Sequence, residues 1–166
     1  AYFGQFGYPG IGYRVLELRD SLRSVLGTDR TWKVALIGVG NLGRALLGYA
    51  GFHERGFVIT ALFDRDPNII GRQIAGMTVN NLDELPAVAK EKGLQVAILS
   101  VPAASAESVT ELILAAGISG VLNFAPVRLK VPEDVSVVSV DLGLQLEQLA
   151  FKVTQRFNSL EEDNPI

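Results

Sequence analysis

No cysteine occurs in the sequence, and His53 is the only histidine. Without cysteine, disulfide bonds, thiolate metal sites and a thiol that senses oxidation are excluded, so a response to redox state would need a bound ligand. One histidine cannot form a histidine metal cluster, and His53 follows the first predicted helix, away from the expected ligand edge of the sheet. The sequence therefore offers no Ser-His-Asp triad and no recognisable metal site.

Long apolar runs and an excess of charge are also missing. Residues 34–39 and 96–101 have the length of strands rather than of membrane spans, and no signal peptide is apparent, so we expect a cytoplasmic location. The formal net charge of -3 at pH 7 gives no overall attraction to nucleic acid. The 166 residues suffice for one buried domain with short appendages, but not for a nucleotide-binding domain plus a full substrate domain.

From Trp32 onward, short apolar runs alternate with segments of helical periodicity. This alternation is typical of a parallel sheet covered by helices on both faces, and it occurs twice over. We therefore predict an α/β fold, a Rossmann doubly wound, mostly parallel sheet. The predicted strands are residues 34–37, 57–63, 77–79, 96–101, 120–124 and 135–140, and the predicted helices are 41–50, 83–92, 105–116 and 142–157.

The two ends of the sequence have different patterns. Residues 1–13 repeat aromatic-glycine steps, which indicates a hairpin or a wing, and residues 14–26 carry one apolar helical stripe. Because the chain opens on such a loop at Ala1, we interpret it as part of a longer protein. The helix at 142–157 also has one apolar stripe, which must pack on its own sheet or on another subunit.

A glycine motif follows the first predicted strand and opens the first predicted helix. Gly38 permits the tight turn, Gly40 lets a pyrophosphate approach the backbone, and Gly43 allows the helix to pack closely on the strand. The backbone N–H groups of Asn41 and Leu42 then face the anionic ligand at the positive end of the helix. The motif predicts a dinucleotide site, with a ligand-free glycine turn as the alternative.

An acidic residue, Asp64, ends the next strand 21 positions after Gly43, where this fingerprint needs it. Its carboxylate is expected to accept hydrogen bonds from two hydroxyls of the adenosine ribose and to repel a 2′-phosphate, which favours NAD over NADP. The adjacent Arg65 leaves NADP open, since it could accommodate that phosphate or stack on adenine.

The segments that follow the fourth and fifth strands are expected to line the other half of the ligand. They are small, apolar and proline-containing, and they supply no reactive group: Val101 and Pro102, then Asn123, Phe124, Ala125 and Pro126. A dehydrogenase needs an acid or base beside the hydride-accepting carbon, and none is apparent. The sequence therefore favours a module that binds NADH and NAD⁺ without catalysis.

The whole pattern resembles the Rex family of redox-sensing transcriptional repressors, which respond to the NADH/NAD⁺ balance. The specific segments are YFGQFG at residues 2–7, GIGY at 10–13, YAGF at 49–52, NFAP at 123–126 and VDL at 140–142. The resemblance covers nearly the whole chain and corresponds to the C-terminal, NAD(H)-binding part of that family. The helices that would read DNA precede this part.

The resemblance implies a division of the chain and its partners. Residues 1–30 would be the wing and linker helix of a winged-helix domain, 31–141 the Rossmann domain, 142–158 a helix exchanged between the subunits of a homodimer, and 159–166 a flexible tail. Tyr49 and Asp141 would be switch residues that pair across the dimer in one ligand state. Operator DNA would be the partner of the whole repressor, whereas this part alone is expected to lack sequence-specific affinity for DNA.

Two other functions remain open from the residues alone. A small NAD(P)-dependent oxidoreductase would share the glycine turn but needs a general acid. A CoA-binding domain of the succinyl-CoA synthetase type shares the Rossmann plan and would prefer CoA to NADH.

Overall fold

The computed structural model describes residues 30–162, together with Val15, Leu18, Arg19, Leu22 and Ser24; for 157–162 only the backbone is described. The five isolated positions are all helical, as predicted for residues 14–26. The predicted wing at residues 1–13 and the last four residues lie outside the described part.

In the described part of the chain, seven strands form one sheet in the order β3-β4-β2-β1-β5-β6-β7. All neighbouring strands are parallel except β3 and β4, which form a short antiparallel hairpin. The predicted doubly wound, mostly parallel sheet is therefore confirmed, and the hairpin strand β3 was not predicted. The strands are β1 (Trp32–Ile37), β2 (Phe57–Asp64), β3 (Gln73–Ile74), β4 (Met77–Asn81), β5 (Val96–Leu99), β6 (Gly120–Asn123) and β7 (Ser136–Ser139).

The helices are α1 (Asn41–Leu47), α2 (Ala50–His53), α3 (Leu85–Lys92), α4 (Ala103–Ala115) and α5 (Leu142–Glu162), with a 3₁₀ turn at Leu82–Glu84. The helix predicted at 41–50 is wrong at its end, because α1 stops at Leu47 and the chain becomes extended at Tyr49. Helix α5 runs past the predicted boundary at residue 158, so the start of the predicted flexible tail is helical.

The two faces of the sheet are covered unequally. One face is buried by α3 and α4, whose Leu85 and Val109 pack against Ile37 and Leu99 of the central strands. On the other face, Leu46 of α1 and Phe52 of α2 contribute to the core near β1 and β2. Beyond them lies an apolar groove of about 390 Å³, which we call the open groove; its lining includes Phe52, Phe57, Val96, Ile98, Leu122 and Val138.

Helix α5 begins directly after β7 and lies exposed along residues 142–156. The large apolar side chains described on it are between 45% and 67% exposed, so the chain on its own leaves a large apolar helix surface in water: Leu142, Leu144, Leu146, Leu149, Phe151 and Val153. Within the described part of the chain, no helix is long and apolar enough to cross a membrane.

Candidate nucleotide-binding site

The glycine turn between β1 and α1 has the close packing that the motif predicts. Gly38 has a φ of +89°, and a Cβ there would stand 2.5 Å from the carbonyl oxygen of Ser100. A Cβ on Gly43 would overlap the carbonyl oxygen of Gly38. Both positions therefore exclude a side chain because of the protein's own backbone.

Gly40 differs from the other two glycines of the motif. Its φ of −74° is open to any residue, and a Cβ would find no atom within 4 Å. The fold itself therefore does not require glycine at this position. The open space lies at the start of α1, where the first backbone N–H groups of a helix have no partner within the helix. The structure therefore leaves room here for a ligand to approach the backbone closely.

Three side chains hold the turn in place. The Ser100 hydroxyl donates to the carbonyl oxygen of Gly38 at 2.8 Å. The peptide groups of Val39 are held from both sides, because its N–H donates to Asp64 Oδ2 at 2.7 Å and its carbonyl accepts from Arg44 Nε at 3.0 Å. The turn is thus shaped by contacts within the chain before any ligand contributes, which reduces the ordering cost of binding.

The structure changes what can be expected of Asp64. Besides the bond from Val39, its Oδ1 accepts the backbone N–H groups of Arg65 at 2.7 Å and of Asp66 at 2.9 Å. A carboxylate offers about four lone-pair positions, so roughly one remains, on Oδ2. Asp64 can therefore give a ribose at most one strong acceptor rather than the two predicted.

A cleft of about 260 Å³ lies at the carboxyl ends of β1, β2 and β5. Its volume is below the usual range for a whole ligand pocket, so a dinucleotide would extend beyond it. The predicted residues that line it are Gly38, Gly40, Asp64, Arg65, Val101 and Pro102, and the unpredicted ones are Ile37, Asp66, Ile69, Leu82, Ser100, Ser105 and Val109. The apolar members of this lining suit the flat face of a purine.

The remaining predicted residues do not line this cleft. Gly43 is buried beneath the turn, and Asn41 and Leu42 lie exposed in the first turn of α1. Of four more, Asn123 ends β6, and Phe124, Ala125 and Pro126 follow it. The buried Asn123 side chain donates to the carbonyl of Val127 and accepts from the N–H of Ala125, so it shapes this loop from within.

The two predicted switch residues occupy the ends of helices. Tyr49 precedes α2, is 55% exposed, and stacks edge-on against Phe52 with the ring centroids 5.0 Å apart. Asp141 precedes α5 and caps it, because its Oδ1 accepts the N–H of Leu144 at 3.0 Å. His53 is exposed at the end of α2, which leads into the amino end of β2. No cluster of metal-ligating side chains occurs among the described residues.

Comparison with known proteins gives a family match and close relatives. Residues 29–127 match the family described as CoA binding domain. The chain is 46% identical over 156 residues to the redox-sensing transcriptional repressor Rex of Desulfitobacterium hafniense, which covers 94% of this chain and 74% of that protein. It is 39% identical over 165 residues to the Rex of Roseiflexus sp., covering 99% of this chain and 75% of that protein.

Solved structures give the same result. One of them is RSP, described as a Rex-family repressor. Its structure in complex with β-NAD⁺ and operator DNA is 32% identical in sequence to this chain and superposes with a TM-score of 0.83. The match covers 98% of this chain and 76% of the RSP chain. The structure of RSP with β-NADH is also 32% identical in sequence and has a TM-score of 0.78. This match covers 90% of this chain and 73% of the RSP chain.

Proposed function

The chain belongs to the Rex family of redox-sensing transcriptional repressors, and we propose that its cleft reads the NADH/NAD⁺ ratio by binding the cofactor without reacting it. Repression in response to NADH and NAD⁺ is the function of this family. The finer proposals concern which residues of this chain hold the cofactor, how two copies assemble, and how the ligand state is transmitted.

Gly40 is the observation that carries the cofactor site. The contacts that fix the turn exclude side chains at Gly38 and Gly43, whereas nothing in the chain excludes one at Gly40. A pyrophosphate seated against the backbone of Gly40, Asn41 and Leu42 accounts for that open space. We propose that the purine and its ribose enter the cleft beside Asp64, and that the nicotinamide extends toward the loop after β6.

The proposal that the cofactor is read rather than reacted is supported by the chemistry of the cleft. Its titratable side chains, Asp64, Arg65 and Asp66, all lie at the β2 side, where a Rossmann site holds the adenosine ribose. His53 is exposed near the amino ends of the strands. A hydride transfer would need an acid or base beside the nicotinamide, and the segments proposed to contact that ring supply none.

Calorimetric titration with NADH, NAD⁺, NADPH and CoA tests this function. We expect NADH to bind about tenfold or more tightly than NAD⁺, because a sensor shifts its population only by the difference in affinity of its states. Equal affinities for NADH and NAD⁺ would contradict redox sensing. Tighter binding of CoA than of NADH would favour the rival CoA-binding function that the family match at residues 29–127 raises.

We further propose a homodimer in which α5 of each copy packs on the other. The open groove on the sheet and the apolar stripe of α5 are both uncovered in the single chain. Leu146, Leu149 and Val153 share one side of α5, and this side is apolar, as is the lining of the groove. Leu144 and Phe151 face the opposite side of the helix, which lies outside the proposed contact.

We propose that Tyr49 and Asp141 pair across this dimer in one ligand state. Both residues precede helices and are exposed, so a second copy of the chain can reach them. Tyr49→Phe keeps the ring against Phe52, and Asp141→Asn keeps an N-cap side chain, so each removes the pairing with little structural damage.

A double-mutant cycle on these residues measures the coupling. We expect each single variant to change NADH affinity by about threefold to tenfold, and the double variant to change it no further, because either substitution alone removes the shared interaction. Additive effects in the double variant would show that the two residues act separately.

Operator DNA is the proposed partner of the whole repressor, as it is of RSP. We assign residues 1–30 to a DNA-binding domain and residues 31–141 to the cofactor domain, and this division remains a prediction. In this arrangement NADH favours a closed dimer and shifts it away from the form that holds the operator.

A further inference from the structure

A side-chain bridge joins two separate walls of the cleft. Arg65, which follows β2, donates from Nη1 to the hydroxyl oxygen of Ser108 in the second turn of α4 at 2.9 Å. The Ser108 hydroxyl in turn donates to the carbonyl of Ser105 at 3.1 Å. The hydroxyl of Ser108 therefore accepts a hydrogen bond from Arg65 and is itself oriented by its bond to the helix backbone. Because Ser108 is half-buried, it holds the guanidinium at a defined position.

The bridge lies at the adenosine half of the cleft. Arg65 and Ser105 both line the cavity, on the β2 side and on the α4 side respectively. A guanidinium held between these walls presents a planar, weakly hydrated cation to the space where the purine is proposed to enter. Such a plane can stack on an aromatic ring.

The position of this cation also determines the charge near the ribose 2′ oxygen. Asp64 gives three of its lone pairs to backbone N–H groups, so its remaining influence on the ribose is one acceptor position and its negative charge. That charge repels a 2′-phosphate. The neighbouring Arg65 would offset the repulsion if its guanidinium turned back toward Asp64, and Ser108 keeps it on the opposite wall.

We propose that Arg65 forms the surface on which the purine stacks, and that Ser108 is a positioning residue that keeps the guanidinium away from the 2′ position and so favours NAD(H) over NADP(H). This inference rests on the proposed cofactor site. It concerns only the adenosine half, so it is independent of how NADH is distinguished from NAD⁺.

Titration with ADP and with adenosine 2′,5′-bisphosphate tests the bridge without the nicotinamide. For Ser108→Ala we expect ADP to bind about threefold more weakly and the preference to shift about fivefold toward the 2′-phosphate, since the freed guanidinium can reach it. For Arg65→Ala we expect ADP to bind about threefold to tenfold more weakly, with no gain for the 2′-phosphate compound.

Two controls separate positioning from general damage. Ser108→Thr keeps the acceptor oxygen and should restore the wild-type preference within twofold, and Ser119→Ala, at an exposed serine outside the cleft, should change neither affinity. An unchanged preference in Ser108→Ala, or unchanged ADP affinity in Arg65→Ala, would overturn the proposal. If the variants change the ADP affinity and the 2′-phosphate preference as expected while NADH and NAD⁺ bind equally, the proposed redox-sensing function is wrong. The roles proposed for Arg65 and Ser108 are then still supported.

Discussion

Gly40→Ala lowers NADH affinity by about 100-fold or more, a loss of about 2.7 kcal/mol, while the protein stays folded. The added methyl group meets no atom of the protein within 4 Å, and the backbone at Gly40 suits any residue. The methyl group does occupy the space where we place the pyrophosphate, and it keeps the phosphate oxygens from the backbone N–H groups. Calorimetric titration gives the affinity, and thermal unfolding shows whether the fold is retained.

Gly43→Ala is the matched variant with the opposite expectation. Its methyl group would overlap the backbone oxygen of Gly38, and backbone cannot move aside as the end of a flexible side chain can. We expect the free energy of unfolding to fall by about 3 kcal/mol or more, in the range of severe overpacking. If Gly40→Ala were to bind NADH with wild-type affinity, the space at Gly40 would not be a pyrophosphate site.

We expect replacement of Leu146 and Leu149 together by Asp to turn the proposed dimer into a monomer. Burial of a leucine side chain is worth about 1.5 to 3 kcal/mol, and the double variant removes four such side chains from each dimer. We therefore expect the dissociation constant to rise by at least about 1000-fold. Sedimentation velocity or light scattering across a concentration series measures the change.

Gln148→Asp combined with Gln155→Asp provides the control for charge. Both glutamines lie on the side of α5 opposite the stripe of Leu146 and Leu149, and the substitutions add the same two negative charges. We expect this variant to remain dimeric. A wild-type protein that is monomeric at high concentration, or a leucine variant that still dimerises, would contradict the exchange of α5.

The sheet and the glycine turn could be predicted because their signals are local. Buried parallel strands are continuous apolar runs, and the glycine motif occurs between such a run and a helix. The positive φ at Gly38 and the close approach of Gly43 to the backbone of Gly38 are local to the turn and were found as expected. Resemblance to a known family added the interpretation of the two ends of the chain, which periodicity left open.

Features that depend on contacts between distant segments were not predictable. The Asp64 carboxylate accepts three backbone N–H groups only because the fold brings the glycine turn and the residues that follow β2 together around it. Ser100 and Ser108 are ordinary serines in the sequence, and their roles depend on which carbonyl and which guanidinium the fold brings to them. The break before α2 was missed because Gly48 is tolerated in a helix at a cost of only about 1 kcal/mol.

The sheet face that carries the open groove makes the stability of the fold depend on the protein concentration. If the open groove is filled only by a second copy, part of the apolar burial that stabilises the chain is available only at concentrations where copies meet. The midpoint of thermal unfolding should then rise with protein concentration. A repressor built in this way would be least stable when scarce, so dilution in the cell would favour its degradation as well as the loss of its paired form.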